Sequence, residues 1–253
     1  MIHIPTAPWA HLVFDLLAWS SGLGTGLILY HWRLRAMTAE IAHKIGGGYF
    51  IALAIGAAGG AWLSGSLNTL RAPLPGYSHS IAGALAGGIV AVEIYKAVRG
   101  VKGSTGAVFV GSFATGVVIG RFGCLFSGLP DQTFGIPTSL PWAVELGDGV
   151  PRHPVQLYES AAMAVFLAVY LIALGRRDPW AWRRGFHIMC VWYGAQRFIW
   201  EFLKPYPRLF GPFNVFHILC LGLVIYGSVH VFNDWRAARN RTVSVSRPDH
   251  QPV

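Results

Sequence analysis

The chain has 253 residues, 53% of them hydrophobic and only 12% charged, with a formal net charge of +9. A charged share about half that of ordinary soluble domains argues against a water-soluble globule and for a polytopic membrane protein. The excess of positive charge comes without a basic stripe interleaved with aromatics, which argues against a nucleic-acid partner; positive loops on the cytoplasmic side of a membrane account for it.

Seven apolar stretches predict an all-α protein with about seven transmembrane helices, over roughly 11–30, 48–67, 80–98, 105–126, 156–174, 186–203 and 213–231. The first is long and holds its small residues (Ser20, Ser21, Gly22) internally, so it reads as a retained span rather than a cleaved signal. The second to fourth contain "AIGAAGGAWLSG" and "IAGALAGG". Small residues let helices approach closely in lipid, so these spans are expected at the tight centre of a bundle.

The fourth stretch ends in "VVIGRFGCLFSG". Arg121 there has two readings, an arginine reaching the outer headgroups or a bidentate clamp on phosphate. The connection to the fifth span is long and rich in proline and glycine, which predicts an ordered outer excursion. Within it "TSLPWAVELGDG" suggests a short strand or interfacial segment, with Trp142 at headgroup level.

"RHPVQLYES" then leads into a fifth span without charge. Pro154 suits the first turn of a helix, and Gln156 and Glu159, three residues apart, face one way. Either His153, Gln156 and Glu159 cap the helix and meet headgroups, or the stretch brings an imidazole beside the arginines, where it accepts a proton near neutral pH. In the sixth span, "CVWYGAQRFIWEFLK", Tyr193, Arg197 and Glu201 share one helix face. Arg197 either pairs with Glu201 alone or, with Arg121, holds an anionic lipid headgroup.

Cys124, Cys190 and Cys220 form no CxxC pair, so neither a disulfide framework nor a zinc site is expected. Arg33, Arg35, Lys44, Lys96, Arg99, Lys102, the arginines of 176–184 and those of the tail fall on one side of the predicted membrane; Arg71, Arg121, Arg152, Lys204 and Arg208 fall on the other. That bias predicts an outside N-terminus and a cytoplasmic C-terminus. Residues 1–239 read as one membrane domain and 240–253 as a disordered cytoplasmic tail. No long internal repeat of the transporter kind is visible.

"GRFGCLFSG", followed by "RHPVQLYE" and then "YGAQRFIWEF", resembles the prolipoprotein diacylglyceryl transferase family. The resemblance implies a multi-pass enzyme of the bacterial plasma (inner) membrane, without cofactor or metal. It would transfer a diacylglyceryl group from phosphatidylglycerol to the lipobox cysteine of a prolipoprotein. It implies Arg121 and Arg197 as catalytic residues, with Tyr193, Glu201, Gln156, Tyr158, Glu159, Gly123 and Cys124 at the substrate. Two positions depart from the family. Its HGGL string is "AGAL" here, Ala82–Leu85, with His79 three residues earlier, and its GRxGN asparagine is Cys124. The base is then His153 or His79, or the arginine field alone activates the thiol. The departures also leave room for a paralogue with another acceptor, or for a non-enzymatic phospholipid-binding protein.

Overall fold

The computed structural model describes residues 2–42, 45–70 and 78–245. Lys44, Arg71 and Arg247, used above for orientation, lie outside the described residues. The first helix, α1 (Ala10–Leu29), continues through a π-helical turn, Tyr30–Leu34, into α2 (Arg35–Ala42). Then follow α3 (Gly47–Thr69), α4 (Ile81–Arg99), α5 (Val110–Ser127), α6 (Val155–Gly175), the short α7 (Pro179–Arg183), α8 (Gly185–Glu201) and α9 (Val215–Val245). The last helix thus enters the stretch from Asn240 expected to be disordered; residues 246–253 lie outside the described residues.

Six helices among the described residues are long and apolar enough to cross a membrane: Ala10–Ala39, Gly47–Thr69, Ile81–Arg99, Gly106–Ser127, Val155–Gly175 and Val215–Asn240. Six of the seven predicted spans correspond to these helices. The remaining predicted span is α8, which has 17 residues and carries Arg197 and Glu201. At about 1.5 Å per residue it falls short of a roughly 30 Å hydrocarbon core.

The surface is inverted relative to a soluble protein. On α1, Leu12, Leu16, Trp19, Leu23 and Leu27 are all exposed at helical spacing. Such a stripe is stable only where the surrounding solvent is hydrocarbon. The chain is a multi-pass membrane protein.

Helix α3 packs along α4 and α1 along α5, while α6, α8 and α9 complete the bundle. The α3–α4 contact is a backbone approach. A Cβ placed on Gly60 would stand 2.8 Å from Gly87 Cα, so only glycine allows this spacing.

Gly128–Pro154, the predicted excursion, is ordered by a small sheet. Strand β1 (Ile2–His3) pairs in parallel with β2 (Val144–Glu145), in the register Ile2 to Val144 and His3 to Glu145. Val144 also exchanges both backbone hydrogen bonds with Arg152, at 3.0 and 2.8 Å. The Glu145 carboxylate accepts hydrogen bonds from Gly149 N–H at 2.8 Å and from Gly147 N–H, and lies 2.5 Å from His3 Nδ1. These contacts hold its carboxyl below the usual carboxylate range, the Gly149 amide contributing most. The N-terminus is thereby tied to the face of the bundle that carries this loop.

Candidate active site

The site is organised by Glu159, on the first turns of α6. Its side chain is wholly buried, and an isolated carboxylate there would be costly. Three cations compensate it. Arg121 Nε of α5 stands 2.6 Å from Oε2, Arg197 Nη1 of α8 stands 3.2 Å from the same atom, and Lys204 Nζ stands 2.5 Å from Oε1. Glu201 is a second, weaker partner, 3.8 Å from Arg197 Nε and 3.6 Å from Lys204 Nζ. Asn214 Nδ2 donates to its other oxygen at 3.3 Å. Three cationic groups therefore meet two carboxylates, and the cluster carries excess positive charge in a low-dielectric setting. The pairing of Arg197 with Glu201 read from helical spacing is present, but the nearer carboxylate comes from another helix.

The cluster forms one wall of a cavity of about 900 Å³ that runs between the α1–α5 and α3–α4 pairs. Arg121, Arg197, His11, Asp131 and His79 line its polar end. Leu53, Ala57, Leu85, Ile89, Phe113 and Val117 line the apolar remainder. Its volume lies within the range of small-ligand sites. Several buried polar atoms around the arginines have no hydrogen-bond partner among the described residues, including Tyr193 Oη, both amide atoms of Gln196 and Trp200 Nε1.

Of the residues marked from sequence, Arg121, Arg197, Glu159 and Glu201 are brought into direct contact. Tyr193 is buried edge-on against Phe113, with ring centroids 5.1 Å apart. Gly123 does not face the cavity. It allows α1 to approach α5, since a Cβ there would stand 2.7 Å from Phe14 Cβ. Gln156 is buried, its Nε2 3.5 Å from Thr133 Oγ1. Tyr158 accepts a hydrogen bond from Trp142 Nε1 at 2.8 Å and stands 3.4 Å from His153 Nδ1. His153 is half-buried in this aromatic corner and is not among the cavity-lining residues. His79 is exposed and lines the cavity just before Ser80, the N-cap of α4. Arg152, which opens the polar string, belongs to the loop, with both terminal nitrogens 2.7 Å from Asp148 oxygens.

Three participants had no sequence assignment to the site. Lys204 registered only as a loop charge, although it lies one helical turn beyond Glu201. His11 carries no local signal, and Asp131 only its place in the "GLPDQ" string where the family's downstream acidic position falls. His11 Nε2 stands 3.0 Å from Asp131 Oδ1 and 4.0 Å from Cys124 Sγ, and Arg121 Nη1 stands 3.8 Å from the same sulfur. Cys124 is therefore half-buried and cavity-facing, while Cys190 and Cys220 are buried. Burial works to raise the Asp131 carboxyl, but hydrogen bonds with His11 and Thr133 hold it below its ordinary range.

A family model described as prolipoprotein diacylglyceryl transferase matches residues 17–233, which include both arginines, Glu159 and Glu201. The chain belongs to the prolipoprotein diacylglyceryl transferase family. Curated relatives named phosphatidylglycerol–prolipoprotein diacylglyceryl transferase agree. That of Methylococcus capsulatus is 33% identical over 156 residues, 58% of this chain and 58% of the relative. That of Solidesulfovibrio magneticus is 37% identical over 131 residues, 49% of this chain and 46% of the relative. That of Geobacter sulfurreducens is 34% identical over 118 residues, 44% of each chain. The chain thus matches about half the length of these transferases. No solved structure matches it significantly. His11 and Asp15 precede the residues that the transferase family model matches.

Proposed function

We propose that the protein transfers a diacylglyceryl group from phosphatidylglycerol to the lipobox cysteine thiol of a prolipoprotein, in the plasma membrane of a bacterium. The observation that carries this reading is the convergence of Arg121 and Arg197 on Glu159 at the polar end of a largely apolar cavity. Guanidinium groups fixed by a buried carboxylate need no reorganisation to meet a phosphodiester. The apolar length of the cavity accommodates acyl chains. The positive-loop bias supports an outside N-terminus, and α8 then serves as a short seventh crossing, with the site facing outward.

In the reaction, the lipobox thiolate attacks the glyceryl carbon that carries the phosphate. A C–S bond forms as the C–O bond breaks, and the electron pair leaves with glycerol phosphate. Arg121 and Arg197 stabilise the charge that develops on the leaving phosphate. The thiol proton is taken by His79, which lines the same cavity as the arginines. His153, with Tyr158 and Trp142, serves the loop framework. Glu159 and Lys204 are positioning residues, and Tyr193 and Glu201 shape the headgroup pocket.

The test is reconstitution of the purified protein in phosphatidylglycerol vesicles with a lipobox peptide. The expected product is a thioether adduct seen by mass spectrometry. Absence of the adduct, where an established transferase modifies the same peptide, would overturn the reading. Tight phospholipid binding without turnover would leave a lipid-binding protein in its place.

A further inference from the structure

Beside Arg121 the cavity holds a second constellation to which the transfer step above assigns no role. His11 lies in the first turn of α1, Cys124 in the last turn of α5, and Asp131 ends the short 3-10 turn that follows. One ligand atom from each, an imidazole nitrogen, a thiol sulfur and a carboxylate oxygen, all lie within 4.8 Å of one another. A zinc ion takes nitrogen and oxygen ligands at about 2.0–2.2 Å and sulfur at about 2.3 Å, which sets tetrahedral ligand atoms roughly 3–4 Å apart. The observed separations of 3.0 Å (His11 to Asp131) and 4.0 Å (His11 to Cys124) already lie in that range.

The surroundings match those of a metal site as well. Metal-ligating histidines usually give their other ring N–H to a carboxylate, which fixes the tautomer. Asp15 Oδ2 stands 2.8 Å from His11 Nδ1, which leaves Nε2 turned toward Cys124 and Asp131. Asp131 Oδ2 accepts the Thr133 hydroxyl, so Oδ1 is the oxygen presented to His11. Arg121 Nη1 lies 3.8 Å from Cys124 Sγ, while its Nε is held by Glu159. The mixed N, S, O donor set selects a borderline-soft ion and disfavours magnesium or calcium.

We propose that His11, Cys124 and Asp131 form a binding site for a divalent ion of the zinc class, with Asp15 and Thr133 as its outer supports and the fourth coordination position open to the cavity. The proposal stands independently of the transfer reaction.

The full chain, purified in detergent and stripped with a chelator, is titrated with cobalt(II) and then with zinc(II). Binding of one equivalent of cobalt with a thiolate-to-cobalt charge-transfer band, bleached by zinc, is the expected result. Cys124→Ser should lose the band, whereas Cys190→Ser and Cys220→Ser should keep it. Asp15→Asn should weaken binding about 10- to 100-fold without changing the stoichiometry, as expected for an outer-sphere carboxylate. A wild-type protein without the band, or a band that survives in Cys124→Ser, would overturn the proposal and leave an imidazole hydrogen-bonded between carboxylates. Should Cys124→Ser fail to fold, alkylation of the wild-type protein decides. Zinc must protect Cys124 from a maleimide, and equal labelling with and without zinc counts against the site.

Discussion

Arg121 and Arg197 close on a single oxygen atom, Glu159 Oε2, at 2.6 and 3.2 Å, although they stand on helices far apart in sequence. The carboxylate therefore fixes the separation of the two guanidinium groups, and Lys204 holds its other oxygen. Glu159→Gln keeps the shape and removes the charge. Three buried cations would then face Glu201 alone. Breaking one side of a buried ion cluster costs about 3–5 kcal/mol. The expected outcome is a clearly lowered thermal midpoint in detergent together with loss of transfer activity.

Arg121→Lys and Arg197→Lys separate fold from function. A lysine still pairs with Glu159 as a point charge, but it lacks the planar fork that meets a phosphate in bidentate fashion. Each variant should stay folded and lose about 10²–10³-fold in turnover, the usual effect of removing one preorganised donor. Single-turnover rates with phosphatidylglycerol vesicles and a lipobox peptide measure this. Near-normal rates in both variants would contradict the role given to the arginines.

The β1–β2 clamp should be sensitive to acid. The Glu145 carboxyl is held low by the Gly149 amide, His3 and the Gly147 amide. Its folded pKa lies below the unfolded value of about 4.3, so the clamp is fully supported above that value and weakens as pH falls through the lower folded pKa. Hydrogen-exchange protection of the Ile2 and Ile4 amides, which bond to Ala143 and Glu145 carbonyls, should drop in that window. Glu145→Gln should show reduced protection at neutral pH and no such step on acidification.

The two faces of the glycine run in α3 should respond oppositely to added volume. A Cβ on Gly60 meets the α4 backbone, so Gly60→Val should force the helices apart at about 1–3 kcal/mol. A Cβ on Gly59 meets nothing within 4 Å, so Gly59→Ala should leave stability unchanged or slightly raised. Paired thermal melts check the difference.

Much of the bundle is written in the chain itself. Apolar stretches long enough to cross a bilayer must become helices, because no other backbone arrangement of one segment satisfies its own hydrogen bonds in hydrocarbon. The same rule marks Arg121 and Arg197, since charges in such stretches are expensive and need a purpose. Helical spacing also yields the Arg197–Glu201 pair. Tertiary structure alone decided the rest. Glu159 meets Arg121, Arg197 and Lys204 across sequence separations that no periodicity encodes, and the stretch 186–203, read as a span, yields only the 17-residue α8. The histidines sort by packing: His79 and His11 line the cavity, while His153 turns to Tyr158. Local pattern reports which residues a helix carries and which face they share. The partner across that face depends on how helices dock, and the close α3–α4 and α1–α5 approaches, the loop sheet and the buried charge cluster set that docking together.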